Sequence, residues 1–383
     1  MRVTQNALSR QYVNNLGSSQ AKMLDYMNKI LSGRKFNRAS ENSIDASKAM
    51  TVRKQLQNLD NYDDALNSAK ELFNAAETNL TAIIDTYSSN AKTKVISAAN
   101  ITNISVIDTY VEDLEGLAEN IMDNLNADFA ERQIFGGTNN STTPFTYQQV
   151  KVTNASGDVL YDSGDKKTVC YNGVPISMNA SGVDPANGNG TYTVTYNGDS
   201  STAKSITINF ADARTSGKNE DMFPGSKPIY IDIGIGIKYD TNYEVDPQTA
   251  LDISLNGAKC SGSGTDSDGY SKNIIQLVFD AAEACKNKDQ GTLNKLIDKI
   301  TDATNTVTEA RTTLGSVQNS ITFNINKNDE YRANLDEMQN ELETYTTVET
   351  GKMYTDYQVM YSAYQAVLQM GSSVIPKSLF DFL

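Results

Sequence analysis

The feature that most constrains the fold of this chain is a run of apolar residues at heptad spacing over residues 293–345. Alternating steps of three and four residues from Leu293 meet an apolar side chain everywhere except at Asn324 and Asn328, and no proline interrupts the run. This spacing predicts one long helix that buries a narrow stripe against other helices. At 1.5 Å per residue the helix would extend roughly 80 Å, which predicts a rod rather than a compact domain.

Two further heptad series provide the partners of this helix. One runs over residues 52–87 and the other over residues 104–125, with a predicted break near residues 97–102. We expect the second helix to continue to the glycine pair Gly136-Gly137, because paired glycines stop a helix. The predicted core of the rod consists of Leu56, Phe73, Leu80, Leu114, Ile121, Leu296, Ile300, Val307, Leu314 and Ile321.

Both ends of the chain carry an amphipathic helix of their own. Residues 4–31 predict a helix that stops at Ser32-Gly33, and residues 34–42 lack an apolar period and predict a loop in which Ser40 or Asn42 caps the next helix. Beyond Tyr345 the heptad frame shifts by four residues, which predicts a hinge at residues 349–352. The predicted assembly positions on the two terminal helices are Val13, Leu16, Met23, Met27, Ile30, Met353, Tyr357, Met360, Tyr364 and Val367.

Alone, each terminal helix would expose its apolar stripe, because a single thin seam buries too little surface to offset the cost of ordering the chain. We therefore predict that the two termini pair with each other and with neighbouring subunits, and that they are disordered in the monomer and become ordered on assembly. A lipid-binding face is the alternative for the same residues, but heptad spacing with a facing set at the other terminus favours helix packing.

The composition changes sharply at Thr138. Residues 138–272 hold 15 of the 24 glycines and six of the seven prolines, and short β-rich runs lie between them at residues 145–152, 168–171, 191–196, 205–210 and 229–237. This pattern predicts an inserted all-β module. The predicted fold class is mainly α with an inserted β domain, an elongated helical bundle built from both termini. The predicted domains are residues 1–40 with 345–383, residues 41–137 with 273–344, and residues 138–272.

The charge distribution argues against a nucleic-acid partner. The net charge is −14, whereas affinity for phosphates needs clustered Lys and Arg. Residues 1–38 are the exception, with seven Lys or Arg against the single acid Asp25. Two interpretations remain open: this segment docks on an acidic partner surface, or it is solvated charge in which Arg34 and Lys35 lie near a helix C-terminus, where cations are favoured.

We find no catalytic or metal site in the sequence. The chain contains no histidine, which excludes Ser-His-Asp triads, Cys-His pairs and HExxH zinc sites. The three cysteines Cys170, Cys260 and Cys285 are far apart and are predicted to be free thiols. A glycine pair at residues 234–236 and an acidic turn at residues 265–269 are better explained as bends than as nucleotide or calcium sites. We therefore expect neither an enzyme nor a cofactor.

Residues 1–25 lack the apolar block of a cleaved secretory signal, and no stretch approaches the ~18 apolar residues of a membrane span. We expect no membrane insertion. If the protein leaves the cell, it does so without a cleaved signal peptide.

The terminal regions resemble the flagellin family over about residues 1–137 and 273–383. The resemblance is carried by the segment Leu-Ser-Gly-Arg-Lys-Phe-Asn-Arg-Ala-Ser at residues 31–40 and by the Tyr-rich, Ala-containing helix before the C-terminal tail. Three short motifs resemble members of the family at the hook–filament junction. They are Met-Arg-Val-Thr at residues 1–4, Phe-Gly-Gly-Thr at residues 135–138 and Ser-Leu-Phe-Asp-Phe-Leu at residues 378–383.

This resemblance implies a structural component of the extracellular bacterial flagellum. It implies that the terminal helices form an inner tube, that the heptad helices form an outer rod layer and that the β module projects outward. It also implies unfolded type III export assisted by a cytoplasmic chaperone, and a ring of subunits that sits on hook-associated protein 1 and presents a template for flagellin. Two alternatives remain: a minor flagellin of the filament, and a surface adhesin that binds through the β insertion.

Overall fold

The computed structural model of the chain describes residues 5–100, 106–139, 142–241, 244–246 and 248–374. The chain forms two compact units: a terminal unit made of Met1–Asn61 and Asn326–Leu383, and a central unit made of Tyr62–Ile325. Long helices lie toward both ends of the sequence and a β-rich region lies between them, which confirms the predicted fold class.

The terminal unit contains α1 (Gln5–Ser32) and α9 (Thr347–Val374), with the first part of α2 (Ser43–Ala82) and the last part of α8 (Gln290–Glu343). The extent of α8 confirms the long helix that the heptad run predicts. The predicted stop at Gly33 is also confirmed, because this residue has φ 66° and its N–H donates to the Lys29 carbonyl at 2.9 Å. Of the two candidate caps, Asn42 caps α2 by accepting the Asp45 N–H at 3.2 Å.

The predicted hinge at residues 349–352 is wrong. The helical run breaks earlier, between Glu343 and Thr347, and Gly351 lies inside α9. The reason is a capping box: Glu349 accepts the Thr346 N–H at 2.9 Å, and the Thr346 hydroxyl accepts the Glu349 N–H at 3.3 Å. These reciprocal bonds start the new helix at Thr347.

In the central unit, α2 continues into a π-helical turn (Ile83–Ser88) and then into α3 (Ser89–Ala99). After a break, α4 (Ile107–Leu125) begins; Ile104, which we assigned to this helix, lies outside the described residues. Two helices, α7 (Ile274–Lys286) and α8, follow the β-rich region, with a short turn between them. The unit is held together by one continuous apolar core that includes Leu66, Leu80, Leu114, Leu125 and Ile300.

The second heptad helix ends at Leu125 rather than at the glycine pair. Beyond it, β1 (Asp128–Phe129) and β2 (Arg132–Gln133) form a small hairpin. Its two turn residues, Ala130 and Glu131, have φ 50° and 63°, as a two-residue hairpin turn requires. Asn126 follows the last residue of α4 and ties the helix end to β3: its side chain donates to the Phe145 carbonyl at 2.9 Å and accepts the Phe145 N–H at 2.8 Å.

The described residues of the β-rich region contain nine further strands. Four of them, β4 (Val150–Thr153), β5 (Val159–Asp162), β8 (Asn189–Tyr196) and β9 (Asp199–Asn209), form an antiparallel sheet in the order β5-β4-β8-β9. A second sheet has the order β3-β6-β7, with β3 (Phe145–Gln148), β6 (Thr168–Tyr171) and β7 (Val174–Pro175). The strands β10 (Tyr230–Asp232) and β11 (Ala250–Asp252) pair separately.

The prediction of an all-β module is wrong in two respects. Two short helices, α5 (Phe210–Ser216) and α6 (Gly257–Ser261), interrupt the region. The run at residues 229–237 is also a strand only over Tyr230–Asp232, because Asp232 Oδ1 accepts the N–H groups of Gly234 and Gly236 at 2.9 and 3.0 Å. This side chain turns the backbone away from the sheet.

Candidate assembly surface

The two terminal helices, α1 and α9, pack against each other. The Tyr12 hydroxyl donates to the Val367 carbonyl at 3.0 Å, which fixes one end of the pair. Half-buried side chains recur along α1 in steps of three and four residues, as expected for a helix covered on one face. These side chains are Tyr12, Leu16, Ser19, Met23, Tyr26 and Ile30.

The predicted assembly positions divide between this covered face and the surface. On α9, Met353 is buried, and Tyr357, Met360, Tyr364 and Val367 are half-buried. On α1, Leu16, Met23 and Ile30 are half-buried, whereas Val13 and Met27 are exposed. Their role in assembly stays a prediction.

A separate apolar stripe runs along the exposed face of α1. It consists of Val13, Leu24, Met27 and Leu31, of which Leu31 is 74% exposed. At 3.6 residues per turn, these four positions lie within an arc of about 60°. The pairing of α1 with α9 therefore leaves an apolar line on α1 uncovered, interrupted between Val13 and Leu24 by the polar Gln20.

Helix α9 has exposed apolar residues on two further sides. Tyr354, Tyr361 and Leu368 are spaced seven residues apart and form one line. A second line, on a different side, contains Val348, Val359 and Met370. These exposed apolar lines make α9 a candidate surface for further packing.

The loop after α1 and the turn before α9 form a joint, defined as residues 33–35 together with residues 343–345. The Tyr345 N–H donates to the Gly33 carbonyl at 2.9 Å, and the Lys35 N–H donates to the Glu343 carbonyl at 2.7 Å. Arg34 and Thr344 face each other as an antiparallel bridge. The sequence predicted only a loop here, because a backbone pairing between distant segments leaves no local pattern.

Ion pairs surround the joint. Arg53 contacts Glu343 at 2.6 Å, and Lys29 contacts Asp25 at 2.9 Å and Glu41 at 3.9 Å. The hydrogen bond to Asp25 raises the pKa of Lys29, which keeps its ammonium group charged. The backbone hydrogen bond from Thr346 lowers the pKa of Glu349. Some of the N-terminal basic residues thus find acidic partners within their own chain.

In the central unit, nine of the predicted rod-core positions are buried, and Leu56, in the terminal unit, is half-buried. Their assignment to a rod stays a prediction. The buried nine are Phe73, Leu80, Leu114, Ile121, Leu296, Ile300, Val307, Leu314 and Ile321.

The motif at residues 135–138 is hydrogen-bonded to the β-rich region that follows it. The buried Phe135 carbonyl accepts the Tyr171 hydroxyl at 2.8 Å and the Gly257 N–H at 2.9 Å. Gly137 has φ 65°, and a Cβ atom there would lie 2.1 Å from the Gly225 carbonyl oxygen. This close approach requires glycine.

The cysteine thiols and the carboxylates of the acidic turn are buried or paired within the fold. All three cysteines are free and buried, and burial raises the pKa of Cys170 and Cys260 to about 12. In the acidic turn at residues 265–269, the Lys299 ammonium lies 2.5 Å from Asp266 and 3.2 Å from Asp268, where a cation would bind. Within the described residues, no three metal-ligating side chains come together. No described helix is both long and apolar enough to cross a membrane.

Residues 3–140 match the family model of the bacterial flagellin N-terminal helical region. This match confirms the flagellin resemblance for the first third of the chain. A comparison with curated protein sequences gives no match.

Three similar solved structures carry flagellar names. A protein of Vibrio parahaemolyticus described as flagellar hook-associated is 13% identical, with a TM-score of 0.49 and coverage of 79% of this chain and 100% of that one. FlgL of Bacillus cereus is 14% identical, with a TM-score of 0.42 and coverage of 76% and 99%. Flagellar hook-associated protein 3 of Legionella pneumophila is 14% identical, with a TM-score of 0.43 and coverage of 76% and 98%. Similarity at this level carries no argument about function.

Proposed function

We propose that the chain is a structural component of the bacterial flagellum, with no enzymatic role. Within that class, its proposed role is that of flagellar hook-associated protein 3, the junction adaptor between hook-associated protein 1 and the flagellin filament. The observation that carries the proposal is the match of residues 3–140 to the flagellin N-terminal helical region. The motif Phe-Gly-Gly-Thr at residues 135–138 favours the junction role over flagellin.

The apolar lines left open by the α1–α9 pair supply the physical basis for assembly. A subunit that exposes one such line on α1 and two on α9 needs neighbours to cover them. Because the two lines on α9 lie on different sides of that helix, one subunit would contact more than one neighbour, which leads to a ring or a helical layer rather than a closed dimer. The terminal helices would then form the inner layer of a ring, and the β-rich region would project outward.

The partners in this proposal are other copies of the chain, hook-associated protein 1 and flagellin, with a cytoplasmic export chaperone before secretion. The proposed location is outside the cell, at the hook–filament junction. An adaptor needs one face for each of two unlike neighbours, and packed helices with several apolar lines provide such faces.

Electron microscopy of a strain that lacks this gene, with flagellin measured in the growth medium, tests the proposal. A junction adaptor predicts hooks without filaments and flagellin released into the medium. Bare hooks without released flagellin would instead indicate the filament protein itself. Intact filaments would exclude the junction role and would leave a redundant minor flagellin or an adhesin.

Complementation of that strain with a chain truncated at residue 341 tests the assembly mechanism. The truncated protein should fail to join the flagellum, whereas its central unit should still unfold cooperatively in calorimetry. Normal incorporation of the truncated chain would contradict assembly through α9.

A further inference from the structure

The π-helical turn between α2 and α3 adds one residue to the buried seam of this long helix. Buried positions on α2 recur in steps of three and four residues up to Ile83, whereas the next buried position, Ser88, follows five residues later. The steps of three and four then resume on α3, at Ala91, Val95 and Ala98. A continuous α-helix would instead place polar side chains on the seam, at Tyr87, Asn90, Lys94 and Ser97. The turn therefore corrects a mismatch of phase between α2 and α3.

This correction leaves an unsatisfied group in the core. Ser88 is 1% exposed, and its hydroxyl has no hydrogen-bond partner among the described residues. A buried hydroxyl without a partner is destabilising, because it has lost its hydrogen bonds to water. The junction between α2 and α3 is therefore a weak point of the central unit.

Helix α3 itself buries little apolar surface. Its buried side chains are those of one valine and three alanines, whereas its neighbours α4 and α7 bury leucine and isoleucine side chains. The free energy gained on burial is roughly proportional to the apolar area removed from water, so that α3 contributes less to the core than either neighbour. The ion pair between Lys94 on α3 and Asp113 on α4 is partly exposed, and such pairs stabilise little.

We propose that α3 is a strap, which opens and recloses as one unit while the rest of the central unit stays folded, with the π-helical turn as its hinge. Local opening of this kind occurs where few apolar contacts hold a segment in place. Opening would uncover the parts of α4 and α7 against which α3 packs, so that the central unit can change its surface without unfolding. The strap depends neither on the flagellar role nor on order in the terminal helices.

Hydrogen–deuterium exchange of the full-length chain, measured by mass spectrometry at urea concentrations below the unfolding transition, tests the strap. Peptides from α3 should exchange at least about 100-fold faster than peptides from α4 and α7. Their exchange should also depend less on urea, because opening of α3 exposes less surface than unfolding of the whole unit. Equal rates, or an equal dependence on urea, in the three helices would overturn the proposal.

Ser88→Ala tests the hinge. Removal of the buried hydroxyl should slow exchange in α3 by about tenfold. Ser89→Ala is the matched control, since it brings the same gain in helix propensity at the adjacent exposed position and should slow exchange only about twofold. If both variants slowed exchange in α3 equally, the hydroxyl at the π-helical turn would not be what weakens the hinge, and that part of the proposal would fail.

Gly137→Ala separates opening of the strap from unfolding of the whole unit. A Cβ atom at this position clashes with Gly225, outside α3, so that exchange in α7 should become faster. Opening of the strap leaves this site intact, and exchange in α3 should stay the same. An equal acceleration in α3 would show that α3 opens only when the whole unit unfolds.

Discussion

The Asp280 carboxylate accepts a hydrogen bond at 2.8 Å from the side-chain amide of Gln276, one turn earlier on α7. The same Gln276 accepts the Val169 N–H at 2.8 Å and the Thr168 hydroxyl at 3.1 Å. The pair therefore connects α7 to β6 at the base of the β-rich region. Burial raises the pKa of Asp280 from 3.8 to about 6, aided by the nearby Glu283 and opposed by Lys166 and by the Gln276 hydrogen bond.

The raised pKa of Asp280 makes the folding stability depend on pH in a predictable direction. Because the pKa of Asp280 is higher in the folded protein, the folded state gains stability relative to the unfolded state as the pH falls from about 7 to about 4. The gain is lost as the pH rises through about 6. One pKa unit corresponds to about 1.4 kcal/mol, so that the total gain is at most about 3 kcal/mol.

Asp280→Asn should remove this dependence and stabilise the central unit at pH 7.5, because a neutral amide occupies the same place without burying a charge. The measurement is the urea unfolding midpoint at pH 7.5 and pH 5. Asp123→Asn, at an exposed carboxylate on α4, serves as the control and should shift neither midpoint appreciably. If lowering the pH from 7.5 to 5 decreased the urea midpoint of the unmodified chain and left that of Asp280→Asn unchanged, the predicted sign would be wrong.

Gly137→Ala should destabilise the central unit by more than about 2 kcal/mol, since it adds a steric clash to an unfavourable backbone angle. Gly157→Ala is the matched control: this glycine also has positive φ, at 88°, but a Cβ atom there would meet nothing within 4 Å. We expect the control to cost about 1 kcal/mol. Equal losses in chemical denaturation would mean that the backbone angle alone requires glycine at position 137.

The buried faces of the helices could be predicted from the sequence better than the helix ends. The apolar period placed α8 and the buried positions of α2 and α4, because burial along a helix repeats every three or four residues. The helix ends were harder to place, since they depend on hydrogen bonds such as those of Asn126 and of the capping box at Glu349. A period carries no information about such bonds.

For a related reason, the sequence could predict neither the joint nor the face of α1 that packs on α9. The Tyr345 hydroxyl donates to the Lys35 carbonyl across a separation of 310 residues, and no local pattern records such a pairing. On α1, the predicted positions and the half-buried positions share Leu16, Met23 and Ile30, but the half-buried set has Tyr12 and Tyr26 in place of Val13 and Met27. Both alternatives are apolar, so that only the structure decides which one meets α9.

Asn324 interrupts the apolar heptad core of α8. Its side chain is buried and donates to the Ser320 carbonyl of the same helix at 2.8 Å. A buried polar residue at a core position lowers the stability of a helical bundle. We therefore expect Asn324→Leu to raise the unfolding free energy of the central unit by about 1 kcal/mol. Thermal unfolding measures both changes, and Asn305→Leu, at an exposed position of α8, should leave the unfolding free energy unchanged. A less stable Asn324→Leu protein would mean that the amide serves the packing at this point.

The exposed lines on α1 and α9 give the most direct test of assembly. Leu24 and Leu368 are exposed, so that changing either to aspartate should alter the unfolding free energy of the isolated chain by no more than about 0.5 kcal/mol. In the flagellum, a buried carboxylate without a partner is costly, and both variants should fail to restore filaments in a strain that lacks the gene. Asn14→Asp adds the same charge at an exposed polar position of α1 and should restore them. If Leu24→Asp and Leu368→Asp both support normal filaments, these apolar lines are not packing surfaces, and assembly must use another face of the terminal unit.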